Sequence, residues 1–251
     1  MAAGAEPFRS YARHYARLGN QPPNWDDAEA NPAKYTCRKP WLPLNTDAAI
    51  LDFGCGWGHQ LLALWCAGYR NVTGVELDRE QAEVARDLAG GRVRVLCVDG
   101  ITFLGERRNQ YDLITLNDVI EHFPPDRTVP VLECVCGALR PGGRVVVRTP
   151  NMSSLLAAFS RYLDATHLAG FTEFSLAQCL DLAGFENPHL LPDPSGWQPR
   201  AWRPWTPLRG LAIRGLLNAV AHRLLYAARS QWPRPTRYDY NLEAYADKKC
   251  P

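Results

Sequence analysis

Short apolar runs alternate with helix-patterned segments between residues 49 and 149, and this alternation constrains the fold more than any other feature of the chain. Apolar runs predict strands at residues 49–53, 71–76, 92–98, 111–117 and 143–149, and helical patterns lie between them at 60–67, 79–88 and 126–139. Strands that alternate with helices form parallel sheets covered on both faces. We therefore predict an α/β fold with a Rossmann-like, doubly wound, mostly parallel seven-stranded sheet.

The flanking segments predict the remaining parts. A short amphipathic helix over residues 8–18 precedes the sheet, and a helix over 175–183, with Ser175 as its N-cap and Gly184 as its stop, follows it. Residues 185–191 and 237–246 predict a closing antiparallel strand pair. The predicted division is an N-terminal helix and cap (1–45), a core (46–193), a basic helical insertion (194–235) and the last strand with the C-terminus (236–251).

A glycine-rich loop connects the first predicted strand to a helix. The run LDFGCGWG at residues 51–58 places glycines at 54, 56 and 58 and an acid at Asp52. Such glycines permit a tight turn and let a ligand approach the main-chain N–H groups at the helix N-terminus. A dinucleotide site would need GxGxxG, but His59 stands where its third glycine would be. An acid at the strand end instead suits a ligand with a cationic amino-acid portion.

Acids also close the next two strands. Glu76 is placed to accept hydrogen bonds from two ribose hydroxyls, and Asp99 is placed to meet an adenine amino group. A nucleoside joined to an amino acid indicates S-adenosylmethionine. Each acid taken singly would also serve as a loop cap, but three acids at successive strand ends beside a glycine loop favour the cofactor site.

Residues 45–190 resemble the class I S-adenosylmethionine-dependent methyltransferases. The resemblance rests on LDFGCGWG (51–58), VTGVELD (72–78), YDLITLNDVIEHF (111–123) and LRPGGRVVVRTPN (139–151) taken together. It implies a cofactor across the C-terminal strand ends, with its methionine part near Asp52 and Gly54, its ribose on Glu76, its adenine on Asp99 and Gly100, and its sulfonium near Asn117. The expected cofactor-binding set is Asp52, Gly54, Cys55, Gly56, Gly58, Glu76, Leu77, Asp99, Gly100 and Asn117.

Methyl transfer needs alignment and desolvation, and a general base where the acceptor is a hydroxyl. His167 lies after the fifth strand and is the first candidate base, with His122 and Glu121 after the fourth strand as the second. His167 could equally be a hydrogen-bonded loop histidine that orders a lid. The trio Asp118, Glu121 and His122 also resembles an arrangement of ubiquinone-type O-methyltransferases that can hold a divalent cation, but we assign no metal.

The small net charge hides an uneven distribution of basic and acidic residues along the chain. The total is +2, yet residues 194–238 hold eight arginines and no Asp or Glu, which leaves the rest at −6. Four of the eight tryptophans lie in the same stretch, and residues 207–230 have an amphipathic pattern. A helix packed on the core and a helix at an anionic membrane surface are both consistent with residues 197–235. Nucleic acid is the weaker alternative because the catalytic part is acidic.

These patterns lead to one expectation and two alternatives. We expect O-methylation of a saccharide, lipid-linked or aromatic small-molecule acceptor by a protein that is either free in the cytoplasm or peripheral to the inner face of a membrane. This location is expected because the first 20 residues lack a signal-peptide pattern and the eight cysteines lack zinc-site spacing. The alternatives are N-methylation of a small molecule, which needs no base, and a non-catalytic cofactor-binding scaffold.

Overall fold

The computed structural model describes residues 11–154, 156–191, 220, 224 and 240–250. Its strands form one seven-stranded sheet in the order β3-β2-β1-β4-β5-β7-β6. The strands are β1 (Ile50–Phe53), β2 (Val72–Glu76), β3 (Arg94–Cys97), β4 (Tyr111–Asn117), β5 (Leu139–Pro150), β6 (Phe185–Leu191) and β7 (Asn241–Lys248). β1 to β5 pair in parallel, whereas β7 runs antiparallel to both β5 and β6. The predicted α/β fold and the closing antiparallel pair are therefore confirmed.

Helices cover both faces of this sheet. They are α1 (Tyr11–Arg17), α2 (Trp25–Ala30), α3 (Pro32–Tyr35), α4 (His59–Cys66), α5 (Arg79–Ala89), α6 (Gly100–Gly105), α7 (Pro125–Ala138), α8 (Ala157–Tyr162) and α9 (Glu173–Leu182). One core cluster joins α2, α4 and α5 to the sheet, and the other joins α6, α7 and α9 to the opposite face. Side chains of β1 are buried throughout, as expected for a central parallel strand.

A buried ion pair fastens the N-terminal cap to the sheet. Glu243 on β7 accepts hydrogen bonds from Lys39 Nζ at 2.8 and 2.6 Å and from Trp41 Nε1 at 2.7 Å. The Glu243 side chain is buried, so these donors replace the water that its carboxylate loses on folding. The segment before β1 is therefore joined to the last strand of the sheet.

Three local predictions need correction. Thr172, not Ser175, caps α9. Ser175 is the third residue of the helix and forms a capping box with Thr172, in which the side-chain oxygen of each residue accepts the backbone N–H of the other. The short helices α2, α3, α6 and α8 were not predicted, because four to six residues are too few to show a helical period. β5 begins at Leu139, ahead of the Pro141–Gly143 turn, because Leu139 already pairs with Tyr111 before a register shift.

The basic insertion lies outside the described residues apart from Val220 and Leu224. Both are helical and exposed, at 44% and 70%. The predicted strand start at residue 237 also lies outside them. All eight cysteines are free thiols. Within the described ranges, none of the helices is both long and apolar enough to cross a membrane.

Candidate active site

The glycine loop turns away from β1 and approaches its neighbours closely. Gly54, Gly56 and Gly58 all have positive φ. A Cβ at Gly54 would lie 2.6 Å from Val119 Cγ2, so a larger residue would displace the turn after β4. The N–H groups of Gly54 and Cys55 donate to Val75 O, while the Cys55 thiol is buried against β2 and burial raises its pKa. The loop is thus held against β2 by its backbone.

Glu76 ends β2 directly beside this loop. Its carboxylate accepts the N–H of Gly56 at 2.8 Å and those of Leu77 and Asp78 at 2.8 and 2.9 Å. Burial raises the Glu76 pKa, and the three N–H donors oppose that shift. Glu76 therefore lies beside the glycine loop, where the ribose of the cofactor is predicted to bind.

Asp52 is a buried carboxylate within β1, 1% exposed. Burial raises its pKa to about 7, and a hydrogen bond from Thr115 Oγ1 at 2.6 Å opposes the rise. The charge of Glu76, which lies on the neighbouring strand β2, contributes to this raised pKa. A bound cation would restore the charge of Asp52, because it compensates the desolvation.

Asp99 and Gly100 have structural roles in the described structure. Asp99 caps α6 by accepting the N–H of Ile101 at 2.9 Å and of Thr102 at 3.5 Å. A Cβ at Gly100 would lie 2.5 Å from the Phe53 ring, so α6 packs on β1 only with glycine there. The loop-cap interpretation thus fits Asp99, whose side chain keeps further lone pairs for a ligand.

Asn117 and Asp118 close β4 beside β5. Asn117 pairs with Arg148 in the sheet register, and Asp118 then adopts a left-handed backbone with φ +54°. The Asp118 carboxylate forms a two-point ion pair with Arg148, whose Nε lies 3.2 Å from Oδ1. The carboxylate of Asp118 is therefore engaged by Arg148.

Glu121 follows in a short 3-10 turn and is 1% exposed. Oε2 accepts a hydrogen bond from Thr149 Oγ1 at 3.0 Å, whereas Oε1 has no partner among the described residues. Burial raises the pKa of Glu121 well above its usual range, and the charge of Asp118 adds to the shift. The Glu121 carbonyl accepts the N–H groups of Leu168 and Ala169, which docks the loop that carries His167.

His122 and His167 lie against each other, with ring centroids 4.9 Å apart. His167 Nδ1 is 3.0 Å from the Ser160 carbonyl oxygen. Because that oxygen can only accept, Nδ1 carries the proton and Nε2 carries the lone pair. Burial and, next in size, the charge of His167 lower the His122 pKa to about 4, so His122 is neutral at pH 7.

Glu121, His122 and His167 form one cluster, since each offers a ligand atom within 4.8 Å of the other two. An unpartnered carboxylate oxygen and imidazole nitrogens are donors that suit a proton or a divalent cation. The trio suggested by sequence included Asp118, but Asp118 is paired with Arg148 and His167 takes its place. The structure thus brings together the three residues predicted to be catalytic.

Helix α1 covers this cluster, which sequence reasoning did not foresee. The Tyr11 hydroxyl lies 3.4 Å from His122 Nε2, and His14 Nε2 lies 3.6 Å from Asp164 Oδ2. Tyr15 packs edge-on against Trp57 of the glycine loop, at 5.1 Å. Tyr11, His14 and Tyr15 share one helix face at i, i+3 and i+4, but this spacing does not reveal which part of the chain the face contacts.

Comparison with known proteins identifies the family. The sequence model described as "Methyltransferase domain" matches residues 25–190, about two thirds of the chain. The chain belongs to the methyltransferase domain family. The ubiquinone biosynthesis O-methyltransferase of Aeromonas salmonicida is 32% identical to it over 105 residues, or 41% of this chain and 43% of that protein. The chain thus aligns with less than half the length of this curated relative.

Solved structures of methyltransferases share the fold. A SAM-dependent methyltransferase from Archaeoglobus fulgidus aligns with a TM-score of 0.63 and 18% identity, over 95% of this chain and 99% of that one. A Haemonchus contortus phosphoethanolamine N-methyltransferase in complex with S-adenosyl-L-methionine aligns with a TM-score of 0.59 and 17% identity, over 97% of this chain and 57% of that one. Family and fold support S-adenosylmethionine as the cofactor.

Proposed function

We propose that this methyltransferase-family chain transfers the methyl group of S-adenosylmethionine to a hydroxyl oxygen of a small-molecule acceptor. The observation that carries the proposal is the histidine pair beside Glu121, at the carboxyl ends of β4 and β5. Ligands of open α/β sheets bind at these strand ends. A hydroxyl acceptor needs a base at this edge, whereas a bound neutral amine does not.

Cofactor binding is assigned to the acidic edge and the glycine loop. Asp52 would pair with the ammonium group of the methionine part, and Glu76 would accept hydrogen bonds from the ribose hydroxyls. The Gly54–Gly58 loop would let the cofactor approach the backbone closely. Asp99 would lie at the adenine end of the cofactor, and Asn117 would lie beside its sulfonium. Asp52 pairs with Gly74 in the sheet register, two residues before Glu76 on the neighbouring strand β2, and this adjacency supports a single ligand that spans both acids.

His167 is the proposed base. Its Nε2 lone pair takes the proton of the acceptor's hydroxyl as the oxygen attacks the methyl carbon in line with the C–S bond. The C–O bond forms while the C–S bond breaks, and its electron pair returns to sulfur, which turns the sulfonium into a neutral thioether. The neutral His122 does not compete for the proton, because its pKa is about 4.

The proposal assigns no metal to the reaction, and a divalent cation is the competing explanation of the cluster. Glu121 Oε1 and the two imidazole nitrogens would hold such an ion, which would lower the pKa of the acceptor's hydroxyl. Treatment with EDTA separates the two mechanisms. Unchanged turnover is the expected result, and a loss restored by Mg²⁺, Mn²⁺ or Zn²⁺ would assign the cluster to a cation.

Substitution of His167 tests the base. We measure methylation of 3,4-dihydroxybenzoate and of a methyl glucoside as phenolic and saccharide probes, and we expect His167→Ala to lower kcat about 10²-fold or more without loss of cofactor affinity. His189→Ala is the matched control, since His189 stacks on Tyr245 at the β6 edge, away from the cluster. Wild-type turnover by His167→Ala would contradict the assignment. Transfer only to amines would favour the N-methyltransferase, and cofactor binding without any transfer would favour a scaffold.

The acceptor is proposed to come from an anionic membrane surface. Residues 194–238 carry eight arginines without an acid, and Val220 and Leu224 of the predicted apolar helix face are exposed. Basic residues beside exposed apolar ones suit the interface of an anionic bilayer. This location would give a lipid-linked or quinone-like acceptor direct access.

Vesicle flotation tests the membrane proposal. Wild type should float with vesicles of phosphatidylglycerol and phosphatidylcholine but not with phosphatidylcholine alone. Leu224→Glu should reduce flotation severalfold, whereas Leu182→Glu, which alters an equally exposed leucine at the end of α9, should not. A wild-type protein that stays at the bottom of the gradient would contradict the proposal.

A further inference from the structure

Behind His122 lies a hydrogen-bonded chain that the proposed chemistry does not yet use. Thr166 Oγ1 is 2.8 Å from His122 Nδ1 and 2.6 Å from Asp164 Oδ1. Asp164 is buried and also accepts the N–H of Thr166 at 2.8 Å. The chain therefore runs from a buried carboxylate through a hydroxyl to the ring.

The direction of each hydrogen bond follows from the groups involved. The Thr166 hydroxyl has one proton, which it donates to the Asp164 carboxylate because a charged acceptor binds it more strongly. Its oxygen then accepts from His122 Nδ1. The Thr166 carbonyl, which can only accept, lies 3.3 Å from the same nitrogen. Both oxygens favour the proton on Nδ1, and the hydroxyl is the closer acceptor of the two. This arrangement leaves on Nε2 a lone pair that faces the Tyr11 hydroxyl at 3.4 Å.

We propose that Asp164 and Thr166 are positioning residues for methyl transfer that hold His122 in its Nδ1-protonated tautomer. This inference rests on the proposed O-methyl transfer. An Nε2 lone pair beside His167 stabilises the positive charge that His167 gains when it takes the acceptor's proton. An Nε2–H in the same place would oppose that charge.

Burial and electrostatics support this role. Burial opposes ionisation of Asp164, yet the hydrogen bonds from Thr166 prevail and lower its pKa, so Asp164 is a carboxylate at pH 7. The Tyr11 hydroxyl and His14 approach Asp164 from α1. The carboxylate is therefore held from both sides, and it fixes the Thr166 hydroxyl in one orientation.

Nitrogen NMR tests the tautomer without reference to turnover. In ¹⁵N-labelled protein at pH 7.5, with the His122 signals assigned by their loss in His122→Gln, we expect a protonated Nδ1 and an unprotonated Nε2. Thr166→Ser should keep this pattern, and Thr166→Val should shift the ring towards the Nε2–H form. Thr128→Val is the matched control, because the buried Thr128 hydroxyl has no hydrogen-bond partner among the described residues.

Two results would overturn the inference. One is an Nε2-protonated His122 in the wild type, and the other is an unchanged tautomer in a folded Thr166→Val. With the probe that is methylated, Thr166→Val should lower kcat about 10- to 100-fold with little change in KM, whereas Thr166→Ser should keep kcat close to that of the wild type. Absence of methylation on both probes would count against the proposed function alone, since the spectra would still decide the tautomer.

Discussion

At the scale of single residues, the buried carboxylate of Asp52 is suited to binding the cofactor but lowers the stability of the cofactor-free protein. A carboxylate that is 1% exposed and has a pKa of about 7 takes up a proton in the folded state between pH 4 and 7. The unfolded chain remains ionised over most of this range, so the free energy of unfolding falls as pH rises through it. The uncompensated charge costs at most about 4 kcal/mol at pH 8.

Asp52→Asn should therefore stabilise the cofactor-free protein at pH 8 and flatten the dependence of its Tm on pH. The same change should weaken S-adenosylmethionine binding at least tenfold, because the ammonium group loses its counter-ion. In the wild type, cofactor affinity should rise from pH 6 to pH 8 as Asp52 ionises. Denaturation scans and calorimetry check both effects, and a less stable Asp52→Asn with wild-type affinity would refute them.

Gly100 provides a second prediction at this scale. Since its added Cβ would lie 2.5 Å from the Phe53 ring, Gly100→Ala should cost about 1 to 3 kcal/mol of stability through overpacking. Phe53→Leu should relieve part of that cost in the double variant. Urea denaturation of the four proteins measures the coupling, and additive costs would mean that Gly100 and Phe53 act independently.

At the scale of elements, α1 covers both parts of the candidate site. Its contacts with His122, Asp164 and Trp57 join it to both the histidine pair and the glycine loop. Tyr15→Ala should raise the KM for the cofactor severalfold with a smaller effect on stability, because Tyr15 packs on the loop rather than in a core. Arg13→Ala on the exposed side of α1 is the control. Equal KM values for the two variants would argue against a covering role.

The ion pair of Lys39 and Glu243 makes a prediction about the N-terminal cap. Glu243→Gln should destabilise the protein by about 1 to 3 kcal/mol, because it weakens charge-assisted hydrogen bonds from Trp41 and from Lys39, whose side chain is only partly buried. Arg79→Gln breaks an exposed pair with Glu83 and should change stability by less than about 1 kcal/mol. Similar losses in the two variants would contradict this distinction.

An element could be predicted where the residues that determine it are close together in the sequence. β4 has the predicted bounds because an apolar run between turn residues marks it, and β6 has them because it starts directly after the Gly184 that stops α9. Ser175 was mistaken for the cap because it and Thr172 are both good caps, and only the backbone decides between them. The contacts of Tyr11 with His122 and of Lys39 with Glu243 span 111 and 204 residues, so no local pattern reports them.

At the scale of the whole molecule, the chain combines an acidic sheet-based part with a basic stretch. The net charge of +2 is the sum of a balance of −6 and eight arginines between residues 194 and 238. The sheet places the acids of β1 and β2 and the histidine pair at one edge. The basic stretch follows β6 and precedes β7, whose first residue pairs with Pro150 at that same end of β5.

The central claim is that this edge binds S-adenosylmethionine through Asp52 and Glu76. Isothermal calorimetry of the full chain with S-adenosylmethionine and its demethylated product tests it most directly, with Asp52→Asn and Glu76→Gln beside the wild type and His189→Ala as control. We predict binding of one ligand per chain to the wild type and to the control, and affinities at least tenfold weaker for the two variants. No binding by the wild type, or wild-type affinity in both variants, would contradict the account.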